Sequence, residues 1–177
     1  FWGVTGGSVD SMVANYTAMK KKRQKDDYTT GGINNRRTDR AVIVYSNLIR
    51  RYFKNTVPIL LGGIEASLRR LAHYDFWSSK IRRSILFDAK ADLLVYGMGE
   101  NAILEIAQRL RRGKGFENIP GACAIQKSPP MNYLEIPAFE TVIGDKNAFV
   151  KSFRLFYENN DPTTARGLVQ KHGDRWL

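Results

Sequence analysis

Cysteine is nearly absent: the 177 residues contain one, Cys123. One thiol can form neither a disulfide within the chain nor an all-cysteine metal site, and it is compatible with a reducing compartment. Histidine is scarce as well. His73 and His172 lie far apart, and neither has the second histidine or paired carboxylate of a zinc motif at helical spacing. No apolar run reaches membrane-spanning length, and the chain opens FWGVTGG without a charged-then-apolar signal segment. Cytoplasm is therefore the default location, with no membrane partner expected. Two catalytic signatures are missing too. No Gly-Lys-Ser/Thr follows any glycine turn, which excludes a nucleotide-hydrolysing phosphate loop, and no Gly-x-Ser-x-Gly nucleophile elbow occurs. Acidic residues are in deficit: 17 Asp and Glu stand against 28 Lys and Arg, a formal charge of +11. Such an excess suits an anionic partner, nucleic acid or a phosphorylated substrate. Much of it has a local use, because Arg50-Arg51, Arg69-Arg70 and Arg111-Arg112 each fall late in a predicted helix, where cations complement the last carbonyls.

What the chain does contain is a recurring unit. Residues 91–110, ADLLVYGMGENAILEIAQRL, predict a short buried strand over 92–96, a tight turn at Gly97-Met98-Gly99, and a helix from Glu100 that buries Ile103, Leu104, Ala107 and Leu110. Residues 57–71 repeat the plan with VPILL, then Gly62-Gly63, then a helix through Ala66, Leu68 and Leu71. A third copy opens the chain: a strand over residues 1–5, a turn at Gly6-Gly7-Ser8, and a helix from near Asp10 with Met12, Val13, Tyr16 and Met19 on one face. Strands separated by helices predict an α/β fold with a parallel sheet. Ligands of such sheets bind beyond the carboxyl ends of the strands, and here the glycines stand at those ends. The candidate cleft is lined by Gly6, Gly7, Gly62, Gly63, Gly97, Gly99 and Glu100.

The connecting segments are less regular. The run KKKRQK over residues 20–25 ends the first helix, and residues 26–37 lack periodicity, which predicts a mobile loop, either a cover for a ligand at the carboxyl edge of the sheet or, more in keeping with its composition, a solvated connection. Thr38 or Asp39 can cap a helix to about Lys54, with Ala41, Val44, Tyr45, Leu48, Ile49 and Tyr52 at helical spacing. Residues 73–77 set four ring-bearing side chains around Asp75, a pattern that serves a pocket, a domain contact or half-buried loop packing equally well. Residues 80–90 predict one short helix, and residues 121–126 a last strand in which Cys123 is a small buried residue.

From Ser128-Pro129-Pro130 onward the plan changes. A helix from Asp145 carries Phe149, Val150, Phe153, Phe156 and Tyr157 along one side. A second begins at Asp161-Pro162, where aspartate caps and proline takes the first helical position, and ends near Gly173. The expected organisation is an α/β domain over residues 1–127 and a helical connector over 128–177. Four strands are few for a sheet covered on both faces, so the expectation is that further strands precede Phe1.

The motifs permit binding more readily than catalysis. Gly97-x-Gly99-x-x-Ala102 formally meets the dinucleotide fingerprint, but the next strand ends at Ile125-Gln126 without the acid that holds ribose hydroxyls. Glu100 suits the first turn of a helix and would repel phosphate, so it fits a helix-start residue or an acceptor for a ligand hydroxyl or amide. Gly62-Gly63, with Glu65 and Ser67 nearby, can bring backbone N–H groups against a ligand or simply make a turn. No general acid, base and nucleophile assemble, and no catalytic residue or metal ligand is assigned.

Four phrases stand out: GVTGGSVDSM at 3–12, LGGIEASLRR at 61–70, RRSILFDAKADLLVYGMGE at 82–100 and HGDR at 172–175. They resemble the YgiQ-type radical S-adenosylmethionine proteins, and the resemblance runs over essentially the whole chain. It implies the N-terminal part of a larger polypeptide, with a Rossmann-like or flavodoxin-like sheet flanked by helices on both faces, similar to the cobalamin-binding domains that precede many radical enzymes. In that family a Cys-x-x-x-Cys-x-x-Cys motif holds a 4Fe-4S cluster that reductively cleaves S-adenosylmethionine. Cys123 is not part of such a motif, so the resemblance places cluster, S-adenosylmethionine and radical step in a domain downstream of Leu177, which becomes the partner of this one. Cobalamin ligation through histidine uses Asp-x-His-x-x-Gly, and that sequence does not occur here. A small-molecule ligand is a further open partner. Two rivals come from other classes. One is a basic nucleic-acid-binding module in which residues 20–25, Arg36, Arg37, Arg82 and Arg83 contact phosphates; the other is a stand-alone dinucleotide-binding domain built on the Gly97 turn.

Overall fold

The chain enters through β1 (Trp2–Thr5), whose glycine turn leads into a five-residue helix, α1 (Ser11–Asn15), capped by Asp10. A lobe held by isolated bridges occupies residues 16–40, followed by α2 (Ala41–Tyr52), β2 (Ile59–Gly62) and α3 (Gly63–Ser67). A hairpin of β3 (His73–Asp75) and β4 (Lys80–Arg82) interrupts the alternation. It resumes with α4 (Ile85–Ala89), β5 (Leu93–Val95), α5 (Glu100–Arg111) and β6 (Ala122–Ala124). The remainder adds β7 (Leu134–Ile136), α6 (Phe139–Gly144), α7 (Lys146–Glu158), β8 (Leu168–His172) and β9 (Arg175–Trp176). The computed structural model describes residues 1–161 and 163–177. They divide into one unit of Phe1–Arg70 with Ile85–Cys123 and another of Leu71–Ser84 with Ala124–Leu177.

The first unit is built on a sheet of order β1-β2-β5-β6. β1 runs parallel to β2, with Trp2 opposite Ile59 and Thr5 opposite Gly62, and β2 runs parallel to β5, with Leu60 opposite Leu93. The chain is thus α/β. Successive side chains of a strand face opposite ways, yet Ile59, Leu60, Leu61, Leu93, Leu94 and Val95 are all buried, so both faces of the two central strands are covered. β1 buries only Val4, as suits an outer strand. Each of Ile59, Leu61, Leu93 and Leu94, withdrawn from water, contributes roughly 2 kcal/mol. Helix α2 packs on β1 and α4, while α3 packs on β1, β2 and β5.

Several helices differ from the periodicity. α1 ends at Asn15 because the chain then turns into the lobe, where Tyr16 pairs with Lys22; Val13 and Met19 are exposed rather than on a buried face. α2 has no cap of its own. Arg40 precedes it in a left-handed conformation, Asp39 bonds Asn15 and Tyr16 instead, and the first amides of α2 are satisfied from other elements. Its buried residues are Ala41, Val42 and Ser46, with Tyr45, Leu48 and Tyr52 exposed. α5 buries Ala102 and Ile106 and leaves Ile103, Leu104 and Ala107 exposed. Small Ala102 sets that face, because it allows the helix to lie close to the backbone at Gly121. Residues 80–90 split, since pairing with β3 draws Lys80–Arg82 into a strand and leaves only Ile85–Ala89 helical.

The second unit corrects the expected all-helical extension. Its three-stranded sheet runs β7-β8-β9, β7 parallel and β9 antiparallel to β8. The Asp145 helix is present as α7, with the Asp145 side chain accepting from Asn147 N at 2.8 Å. The second helix is not. Asp161 does accept from the amides of Thr163 and Thr164, but this closes only a turn; Pro162, expected at the first helical position, lies outside the described residues. Gly173, at φ +60°, then opens a two-residue turn that pairs His172 with Arg175. The ring-rich residues 73–77 form β3 and the turn after it, with buried Asp75 accepting from the Ser78 amide. Among the described residues no helix is long and apolar enough to cross a membrane.

Candidate functional site

Because β1, β2 and β5 are neighbouring parallel strands, the turns that follow them leave the sheet along one edge. Strands in a sheet lie about 4.8 Å apart, so the elbows at Gly6-Gly7, Gly62-Gly63 and residues 97–100 are close neighbours on that rim. The predicted residues therefore follow the ends of three adjacent parallel strands. They differ in what surrounds them.

At Gly6 and Gly63 the space is taken by the chain itself, whereas Gly62 has nothing within 4 Å of an added Cβ. A Cβ on Gly6 would lie 2.4 Å from Glu65 Oε2, and one on Gly63 would lie 2.5 Å from Thr5 Oγ1, at a φ of +79° that favours glycine in any case. Glu65, from α3, turns inward and is buried. Its Oε2 accepts from Ser11 N at 2.9 Å and its Oε1 from Val42 N at 3.2 Å, so one carboxylate serves the first turns of both α1 and α2. Free amides at a helix start attract negative charge, and these already have it. The position after the first strand, where a dinucleotide fold holds pyrophosphate, contains an internal anion.

Around Glu65 the polar groups are tied to one another. Asp10 caps α1 through Met12 N, at 2.9 Å, and pairs with Arg69, whose Nη1 also donates to the Glu65 carbonyl. Ser11 Oγ accepts from Ala41 N. The network continues into the 16–40 lobe: Asn15 Nδ2 donates to Asp39 Oδ1 at 2.7 Å, and Arg37 donates to the Gly6 carbonyl while pairing with Asp26 at 3.2 Å. Thr29's hydroxyl, Tyr28's amide and Arg37 together hold the Asp26 carboxyl below the usual carboxylate range. Residues 26–37, expected as a solvated connection, are thus pinned to the first elbow. Sequence reasoning missed Glu65 as the hub because its partners stand 54 and 23 residues away; the available signal was two aspartates, two asparagines and two arginines in residues 26–37, a segment with no periodicity.

The third elbow is open. Gly97, at φ +67°, has nothing within contact distance of a built Cβ, and Met98 is 91% exposed. Gly99 precedes α5 in close contact with Val95, which a Cβ would meet at 2.6 Å. Glu100 follows, exposed in the first turn of the helix.

Elsewhere burial displaces several titratable groups, among them Cys123, which was expected to be buried and is half-buried. Burial pushes the Cys123 thiol up to about 12, against the opposing pull of Arg70, so the sulfur stays protonated near neutrality. Arg70 lies over the Tyr96 ring, 4.5 Å from its centroid, and burial lowers it from the ordinary arginine value. In the second unit burial pushes His172 down to about 4. Its Nε2 lies 3.1 Å from Gln170 Oε1 and its ring stacks on Phe139. Gln170 in turn accepts from Ala72 N and donates to the Pro137 carbonyl.

Comparison with known proteins follows the same line. The family model described as Radical SAM N-terminal matches residues 1–177. A UPF0313 protein of Fusobacterium nucleatum is 55% identical over the whole chain, which covers 31% of that relative. UPF0313 proteins of Thermotoga neapolitana and Geobacter sulfurreducens are 50% and 47% identical, again over the whole chain and 32% and 30% of their own lengths. The chain spans about a third of the relatives it matches. No solved structure matches it. The cluster and S-adenosylmethionine that such a family implies find no cluster ligands here. The sequence has one cysteine, its thiol is protonated, and among the described residues no three His, Cys, Asp or Glu are grouped to hold a metal ion.

Proposed function

The chain belongs to the radical SAM N-terminal family, and from that membership we propose that it is the N-terminal α/β accessory domain of a larger radical S-adenosylmethionine enzyme. One observation carries the reading: a family match across all 177 residues coincides with a single cysteine. A site-differentiated 4Fe-4S cluster needs several thiolates, so they belong to other parts of the polypeptide. When bound there, the cluster supplies reductive cleavage of S-adenosylmethionine.

This chain's own contribution is the rim of Gly6, Gly7, Gly62, Gly63, Gly97, Gly99 and Glu100. Glu65 fills the space at Gly6 and Thr5 that at Gly63, while Gly62 and Gly97 have room beside them, Gly97 close in sequence to the exposed Glu100 carboxylate. A hydroxyl or amide donor suits that arrangement. A phosphate does not, because Glu65 and Glu100 both place negative charge at helix starts.

The test uses the full-length protein, reconstituted anaerobically with iron and sulfide. It should take up a 4Fe-4S cluster and, with a reductant, convert S-adenosylmethionine to 5′-deoxyadenosine. A protein that takes up no cluster, and that instead binds RNA with steep salt dependence or saturably binds a dinucleotide, contradicts the proposal.

A further inference from the structure

Helix α7 carries apolar side chains around more of its circumference than one packing face needs. At 100° per residue, Leu155, Ala148, Ser152, Phe156 and Phe149 occupy one arc, and Phe153, Lys146, Tyr157 and Val150 continue it, so a sector apolar but for Ser152 and the first-turn Lys146 spans about 220° where a single buried face needs little over 100°. The first arc is used. Ala148 and Ser152 are buried, Phe149, Leu155 and Phe156 are half-buried, and the helix packs on α6 and β7. The second arc has no cover: Val150, Phe153 and Tyr157 are 62%, 61% and 72% exposed, and the Phe153 and Tyr157 rings stack on each other at 6.4 Å. Asn147, Lys151, Arg154 and Glu158 mark the solvent side, where Arg154 pairs with Glu158.

We propose that the Val150, Phe153 and Tyr157 face of α7 is the seat for the polypeptide that follows this region in the longer proteins of the family. The inference rests on the reading above, that the chain is one part of a larger enzyme. Two observations choose this occupant. The relatives are about three times as long, and the matching family is described as N-terminal, so most of their chain comes after this region. The chain's last residue also belongs to the same unit as α7, and it is fixed there: Leu177 is buried, its amide donates to the Gln170 carbonyl at 3.0 Å, and Trp176 pairs with Gln126. Whatever follows is therefore tethered to the unit that presents the uncovered helix, and tethering raises its effective concentration over any free partner. Exposed stacked aromatics supply the contact area that such a seat needs.

The test is photocrosslinking in the full-length protein. With Phe153 replaced by p-benzoylphenylalanine, irradiation should give a product of monomer mass whose crosslinked peptide lies beyond the position of Leu177. The same replacement at Lys151, on the polar side, should give none. A crosslink to a second copy, a crosslink confined to residues 1–177, no crosslink, or equal linkage from Lys151 would each overturn the proposal. Iron content measured on the same sample separates the two readings. Cluster-loaded protein without the crosslink removes this seat and leaves the enzyme reading standing; crosslinked protein that takes up no cluster does the reverse.

Discussion

Glu65 holds together more of the first unit than any glycine does. Replacing it with alanine strands the amides of Ser11 and Val42 in the interior, and two unsatisfied donors predict a loss of about 3 kcal/mol in denaturant unfolding. Gly6→Ala should lose about 2 kcal/mol, because the new methyl displaces the carboxylate. The two effects are coupled through one contact. Once Glu65 is alanine, the nearest atom left to the Gly6 methyl is the residue 65 Cβ at 3.5 Å, an ordinary contact, so the double variant should be at least about 1 kcal/mol more stable than the sum of the singles predicts. Strict additivity would show that Gly6 is constrained by something else. His172 gives a second test at this scale. Its folded value near 4 lies below the ordinary 6.5, so between those limits the unfolded chain binds a proton that the folded chain does not. Stability is complete above about pH 6.5 and declines as pH falls toward 4; His172→Gln should flatten that slope, and an unchanged slope would locate the proton uptake elsewhere.

Among the elements, the 16–40 lobe shows how irregular sequence can be ordered by polar pairing. Arg37→Met removes the Asp26 pair and the bond to the Gly6 carbonyl together. Hydrogen exchange should then accelerate at Asp26 and Asn34, whose amides bond within the lobe, while the interior of α2 stays protected. Uniform acceleration across both would mean that Arg37 supports the whole unit rather than the lobe. Asp26, depressed below its ordinary value, contributes stability that is present above the unfolded carboxyl range and is lost as pH falls through the folded value. The lobe should therefore loosen at lower pH than the window assigned to His172.

β1, β2, β5 and α5 were legible because an apolar run, a glycine turn and a helical stripe are adjacent in the chain. The inner face of α5 was not. Ile103 and Leu104 carry the stronger hydrophobic signal, yet small Ala102 and Ile106 are the buried ones, with Ala102 close against Gly121. The strands β8 and β9 were obscured by the cap-like turn at Asp161, although Gly173-Asp174 between LVQKH and Arg175 is a readable hairpin signal. At the candidate site the glycine positions were visible from spacing alone. The carboxylate between them was not, because hydrogen bonds linking residue 65 to residues 11 and 42 leave no local pattern.

At the scale of the whole molecule, a buried parallel core is joined in sequence to a smaller unit with its own three-stranded sheet. Large side chains remain exposed on α2, α5 and α7, and the relatives continue for twice as many residues again. The central claim is that this region supplies scaffold and rim, and no ligand to the cluster. Cys123→Ser in the full-length protein tests it most directly, since it removes every thiol the region has. Iron and sulfide per polypeptide after anaerobic reconstitution should match the unsubstituted protein. Loss of the cluster in that variant, with the fold intact by circular dichroism, would contradict the account.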